Sequence, residues 1–118
     1  MIFFNNIHKD SYHMLIKKAN IHKDDIERKT LFYIISGNND LSIKQDFIYD
    51  FNENFINLDT LNSKDIDFCS SSKSLIRLGF NLYNGYSDDY TNPLCLLQNL
   101  DSKNYILANN AINMRFDR

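Results

Sequence analysis

Apolar residues recur at three- and four-residue intervals along most of the chain, the period of a helix with one buried side. The first such stretch predicts a helix from about Ile7 to Ala19, capped by Asn5 or Asn6, with Tyr12, Leu15, Ile16 and Ala19 on its apolar side. A second begins at Asp24, where Glu27 three positions on completes a capping-box-like pair, and runs through Leu31, Phe32, Tyr33, Ile34 and Ile35 to a stop near Gly37. That five-residue apolar run also fits a buried strand. The cap upstream and the glycine downstream favour helix. A third, shorter helix is expected after Asn39, carrying Leu41, Phe47 and Ile48.

The pattern then changes. Between Phe51 and Phe68, Phe55, Ile56, Leu58 and Leu61 are interspersed with Asn and Asp, which suits turns or a short strand pair. From Cys69 the helical period returns. Ser70, Ser71 and Ser72 are candidate caps for a fourth helix with a Leu75, Leu78 and Leu82 stripe, Ile76, Phe80 and Tyr83 beside it, and Gly85 at its end. Gly79 lies inside that helix, where glycine costs about 1 kcal/mol relative to alanine, so it marks close approach by another helix. Pro93 suits the first turn of a fifth helix capped by Thr91 or Asn92 and carrying Leu94, Leu97 and Leu100. Asp101 or Ser102 then caps a C-terminal helix whose predicted buried side is Tyr105, Ala108, Ile112 and Phe116. The expected fold is mostly α: one compact domain over residues 1–118, a bundle of about five to six short helices with a short β-hairpin or irregular segment around 51–68.

Composition narrows the classes of function. At 118 residues, 43% hydrophobic and 24% charged, the chain is ordinary for one globular domain and unlike a disordered one. Valine is absent while Ile, Asn and Lys are abundant, the usage of an AT-rich coding sequence, so no single Asn reads as functional on frequency alone. The balance of 13 Lys and Arg against 15 Asp and Glu lacks the basic excess that phosphate backbones call for, which disfavours nucleic acid, although Lys17, Lys18 and Lys23 form a local basic group. No apolar run approaches the ~20 residues of a membrane span, and the Met-Ile-Phe-Phe-Asn start carries no signal-peptide pattern. With two widely spaced thiols, Cys69 and Cys95, the expected setting is cytoplasmic with free cysteines and no membrane contact.

Familiar catalytic patterns are missing. His8, His13 and His22 stand five and nine residues apart, not the four that sets two ligands on one helix face, and read as solvated surface histidines. Cys69 and Cys95 have no CxxC partner. The Ser70–Ser72 run lacks the GxSxG turn and reads as helix capping. Gly37, Gly79 and Gly85 compose no phosphate loop and read as two helix stops and one packing contact. No cofactor is implied.

Two polar loops remain, Gly37–Asp40 and the richer Asn84–Pro93. In the second, Asp88 and Asp89 are of the type that ligates a hard cation or meets a basic partner, and Tyr86 and Tyr90 bracket them with rings of the kind enriched at interfaces. Arg77, two turns earlier among apolar neighbours, is either solvent-facing or paired with a carboxylate such as Asp50; a structural pair is favoured. The candidate binding set is Arg77, Asn81, Asn84, Tyr86, Asp88, Asp89 and Tyr90.

The stretches Glu27–Asn38, Ile48–Phe51 and Ser70–Tyr86, above all Ser-Leu-Ile-Arg-Leu-Gly-Phe-Asn-Leu-Tyr-Asn-Gly over 74–85, resemble a family of small uncharacterised proteins from low-GC Gram-positive bacteria and their mobile elements. The resemblance covers nearly the whole chain and implies a phage or mobile-element setting, in which small proteins often inhibit host factors, immune systems included. It carries over no catalytic residue. The leading expectation is a non-enzymatic module that binds another protein and inhibits or regulates it, with homo-oligomerisation left open. Two other readings are kept: sequestration of a signalling nucleotide or other small ligand by Tyr, Asn and Arg77, and a metal-dependent hydrolase using Asp88 and Asp89.

Overall fold

The computed structural model describes residues 2–64 and 66–118. Its order is α1 (Asn6–Ala19), α2 (Ile26–Gly37), α3 (Asn39–Ile43), α4 (Gln45–Ile48), β1 (Tyr49–Asp50), β2 (Phe55–Ile56), a 3-10 turn (Leu58–Leu61), α5 (Ser70–Asn84), α6 (Pro93–Leu97) and α7 (Ser102–Arg115). This is the mostly helical single domain expected, with a hairpin where the helical period lapses. The expectation for 51–68 is tested without Asp65, which lies outside the described residues.

The run Leu31–Ile35 is helical, and every one of its side chains is buried. A helix apolar on all sides must be enclosed by others, and α2 packs against α1, α5 and α7. Fully burying each such side chain contributes about 1.5–3 kcal/mol. The helix starts later than expected. Asp25, not Asp24, is the N-cap, its carboxylate accepting from the Arg28 N–H at 3.1 Å, so Glu27 completes no capping box with Asp24. Gly79 is a close approach, as expected: a Cβ there would stand 2.9 Å from Leu31 Cδ1 on α2. Gly37, read as a stop, is also a contact, since a Cβ would run into the Leu107 side chain and lie 3.0 Å from His8 Nε2.

The expected third helix is two pieces, α3 and α4, broken at Lys44, and Phe47 is left half-exposed. The hairpin pairs Tyr49 with Ile56 and Asp50 with Phe55, placing Tyr49 and Ile56 inward. Arg28 pins it to α2: Nε donates to Tyr49 Oη at 2.9 Å, Nη2 to the Asn54 carbonyl at 2.8 Å, and Nη1 to Asp25 at 2.9 Å. Asn54 adopts the left-handed conformation (φ 58°) that the tight turn requires.

Three other expectations are corrected by packing. The N-cap of α5 is Cys69, and the three serines fill its first turn instead of capping it. In α6 it is Leu96 that points inward, while Leu94 is exposed. In α7 the buried side is Leu107, Ala108 and Ala111, with Tyr105 and Phe116 turned outward and Ile112 only partly buried. At Gly37 the absent side chain makes room for Leu107, which with Ala108 and Ala111 forms the buried side of α7.

His8, expected at the surface, is 3% exposed. Nδ1 accepts from the Phe4 N–H at 3.3 Å and Nε2 donates to the Tyr33 carbonyl at 3.1 Å, which selects the neutral Nε2-protonated ring. Burial lowers its pKa from the ordinary 6.5; the Tyr33 carbonyl opposes this and the Lys103 charge adds to it, with burial winning. The unfolded chain therefore takes up a proton at a higher pH than the folded one. The stability contributed is complete above the unfolded value of 6.5 and is lost as pH falls through the lowered folded value. Urea midpoints should fall between pH 7 and 5, and a His8→Gln variant should show a flatter profile over that window; parallel profiles would exclude His8 as the titrating group.

Candidate functional site

The buried side of α5 fixes what its other side presents. With Leu75, Ile76, Leu78, Gly79, Phe80 and Leu82 turned inward, the positions Ser70, Lys73, Ser74 and Arg77 fall on one stripe at i, i+3, i+4 and i+7. This stripe forms one wall of a solvent-open cleft of about 390 Å³. Tyr90 from the following loop, and Cys95, Gln98 and Asn99 from α6 and its end, form the rest. Among the described residues no carboxylate lines it.

The loop between α5 and α6 is folded around Asp88. Gly85 ends α5 in the left-handed conformation (φ 82°), its N–H bonding the Asn81 carbonyl at 2.8 Å. Asn81 Nδ2 donates to the Tyr86 carbonyl and Asn84 Oδ1 accepts from the Tyr86 N–H, both at 3.0 Å. Tyr86 packs edge-on to Phe80 with ring centres 5.8 Å apart. Its hydroxyl donates to Asp88 Oδ2 at 3.0 Å. Asp88 Oδ2 also takes Arg77 Nε at 2.9 Å, and Oδ1 takes the Tyr90 N–H and the Thr91 hydroxyl at 2.9 Å each. Burial works to raise the Asp88 carboxyl, but the bonds from Arg77, the Tyr90 N–H, Thr91 and Tyr86 outweigh it and bring it down to about 2. Burial, reinforced by the Asp88 carboxylate, raises the Tyr86 phenol, so Tyr86 remains a hydrogen-bond donor.

The structural pair expected for Arg77 exists, with Asp88 as its partner in place of Asp50, whose carboxylate instead accepts from the Asn52 and Glu53 N–H groups of the hairpin turn. The pair engages only Nε. Neither Arg77 Nη1 nor Nη2 has a hydrogen-bond partner among the described residues. The guanidinium lies over the Tyr90 ring at 4.9 Å, and Tyr90 is 59% exposed. Lys73, half-buried one turn earlier, forms no ion pair among the described residues.

Of the seven residues singled out from sequence, Arg77, Asn81, Asn84, Tyr86, Asp88 and Tyr90 belong to one connected network, while Asp89 stands exposed beside it. Only Arg77 and Tyr90 reach the cleft. Lys73, Ser70, Ser74, Gln98 and Asn99 were missed, although the polar stripe on α5 has the same period as the apolar one. The four bonds on Asp88 occupy about all the lone pairs a carboxylate offers, leaving little for a cation. Among the described residues no group of three or more His, Cys, Asp or Glu could hold a metal ion. At the head of α5, the exposed Cys69 thiol has its pKa lowered by the Ser71 and Ser72 hydroxyls, with further help from their backbone N–H groups.

Fold and site together define a small helical domain with a cationic, aromatic-edged cleft. The chain belongs to DUF6075, a family of unknown function whose model matches residues 1–118. No curated protein and no solved structure matches it. No helix among the described residues is long and apolar enough to cross a membrane.

Asp88 is the centre of this loop, and an Asp88→Asn substitution keeps its volume while removing the charge that holds Arg77. Stability should drop by about 1–2 kcal/mol, with faster amide exchange confined to residues 85–92. Unchanged exchange in that segment would show that the loop is held by something else.

Proposed function

We propose that this protein is a binding module, without chemistry of its own, that captures a small anionic ligand in the cleft between α5 and α6. One observation carries the reading: Lys73 and Arg77, whose two terminal nitrogens are unengaged, line a cleft that no carboxylate among the described residues lines. A planar guanidinium presenting two free nitrogens suits the forked oxygens of phosphate or carboxylate, and Lys73 adds a point charge. Asp88 holds Arg77 from behind through Nε, so the fork is positioned before any ligand arrives. The volume falls within the ~300–1,000 Å³ typical of small-molecule sites.

Pyrophosphate is a suitable probe. It should raise the melting temperature of the wild-type protein in a saturable way, and the shift should shrink sharply in Lys73→Ala, whose side chain carries no ion pair among the described residues. A ligand at 100 times its Kd contributes roughly 2.7 kcal/mol, well within reach of a thermal scan. No shift in the wild type, or an equal shift in both proteins, would remove the reading.

A second reading is favoured by a different surface. A groove of about 600 Å³ is bordered by Ser11, Met14, Lys17 and Lys18 of α1 and by Ser42 and Gln45 around α3 and α4. Met14 stands 72% exposed there, an apolar side chain beside lysine stems of the sort that meets an acidic and apolar partner surface. In the mobile-element setting that the family resemblance implies, such a partner would be a host or element-encoded protein, inhibited on binding. Captures from a low-GC Gram-positive lysate should differ between wild-type and Met14→Asp baits; identical sets of retained proteins would count against this face.

A further inference from the structure

The cations that line the α5–α6 cleft, Lys73 and Arg77, both come from its α5 wall. Tyr90 is mostly exposed, yet one face of its ring is covered by the Arg77 guanidinium at 4.9 Å. Its backbone is fixed by the bond from its N–H to Asp88 Oδ1. An exposed ring held in place by a cation on one side keeps the rest of its surface available for stacking. Across the cleft, the Gln98 and Asn99 side chains carry no hydrogen bond among the described residues. Primary amides offer a donor and an acceptor side by side, the pattern that matches the polar edge of a nucleobase. Thus phosphate-binding, stacking and edge-reading groups adjoin within one volume of about 390 Å³.

We infer that the ligand of this cleft is a nucleoside monophosphate, with its phosphate on Lys73 and the Arg77 terminal nitrogens, its base against Tyr90, and the base edge toward Gln98 and Asn99. The inference rests on the anion-capture reading above and adds the base to it. One phosphate suits the charge present, since Arg77 is already partly neutralised through Nε by Asp88 and, among the described residues, Lys73 supplies the one further cation lining the cleft. Base–aromatic stacking is worth about 1–3 kcal/mol per base, so the base should tighten binding by roughly 5- to 140-fold at 1.4 kcal/mol per decade.

Isothermal titration of the full chain with AMP, GMP, CMP and UMP, set against ribose 5-phosphate and inorganic phosphate, isolates the base. At least one nucleotide should bind about fivefold or more tightly than ribose 5-phosphate. Tyr90→Ala should abolish that gap, so that nucleotide and ribose 5-phosphate bind alike to the variant, and Tyr90→Phe should preserve it. Circular dichroism of each variant confirms that the fold is retained. If ribose 5-phosphate or inorganic phosphate binds as tightly as every nucleotide, the cleft is an anion site only: the inference is overturned and the capture reading stands. If none of the six ligands binds the wild-type protein, both are overturned. A base-dependent gap that persists in Tyr90→Ala places the base elsewhere and also overturns the inference.

Discussion

Enclosure of α2 is the constraint from which the rest of the architecture follows. From Thr30 to Gly37 every residue of this helix is buried, so no side of it can face water, and α1, α5 and α7 must cover it. The closeness of these contacts is set by two glycines. Gly79 lets α5 approach Leu31, and Gly37 admits Leu107 and the His8 ring. The polar groups enclosed by this arrangement are satisfied locally. Thr30 Oγ1 donates to the Ile26 carbonyl at 2.7 Å, Ser36 Oγ to Tyr33 at 3.2 Å, and the Tyr33 hydroxyl to the Ile2 carbonyl. A buried helix with unsatisfied hydroxyls would forfeit about 1–3 kcal/mol for each.

That packing determines where the candidate site can lie. Because α5 must turn its Leu75, Leu78, Phe80 and Leu82 toward the core, its polar stripe has one direction left, toward the short α6 and the loop preceding it. The loop is long for a helix connection, but the bonds converging on Asp88 give it a defined shape, and Asn92 then caps α6 by accepting from the Cys95 N–H at 2.9 Å. The cleft is therefore bounded by a rigid helix on one side and a loop pinned through Arg77 on the other. Side chains held in this way have little freedom left to lose.

The helical period identified α1, α2, α5, α6 and α7, because each carries an apolar repeat with a recognisable start or stop. Asn5, Asp101 and Asn92 cap as such residues do. What periodicity could not rank was which apolar residues face inward when they surround a helix. In α7, Tyr105, Ile112 and Phe116 fit the period as well as Leu107, Ala108 and Ala111 do. The choice was made by the tight crossing at Gly37, a tertiary fact. His8 escaped notice for the same reason: nothing local distinguishes it from His13 or His22 until α2 and α7 close over it. The cluster around Asp88 was legible as a polar loop with two tyrosines, but the Arg77–Asp88 pair across eleven residues was not, since Asp50 was an equally good carboxylate on paper. Lys73 carries no local signal, because a lysine on the polar side of a helix is ordinary until packing sets it beside Arg77 in one cleft.

The stripe on α5 also presents an electrostatic problem that the fold solves only in part. Lys73 and Arg77 are like charges at i, i+4, an arrangement that costs a helix about 0.2–0.5 kcal/mol. Lys73 also lies near the helix N-terminus, where the macrodipole is positive and a cation is unfavourable; the first turn holds no acidic residue of its own, and the Asp40 carboxylate of α3 meets it through the Ser72 hydroxyl at 3.0 Å. Asp88 answers for Arg77, and answers from the far side of the guanidinium. These penalties are small beside the burial of the apolar side, so the domain tolerates them. They are nonetheless directed at one place, the cleft, where the repulsion, the helix end and the free guanidinium nitrogens all favour negative charge. An anion arriving there meets a field set up by folding and reduces a cost the helix already bears. That asymmetry, more than the number of cations, separates this cleft from the basic surface around Lys17 and Lys18, where Asp46 already takes Lys18 at 2.8 Å.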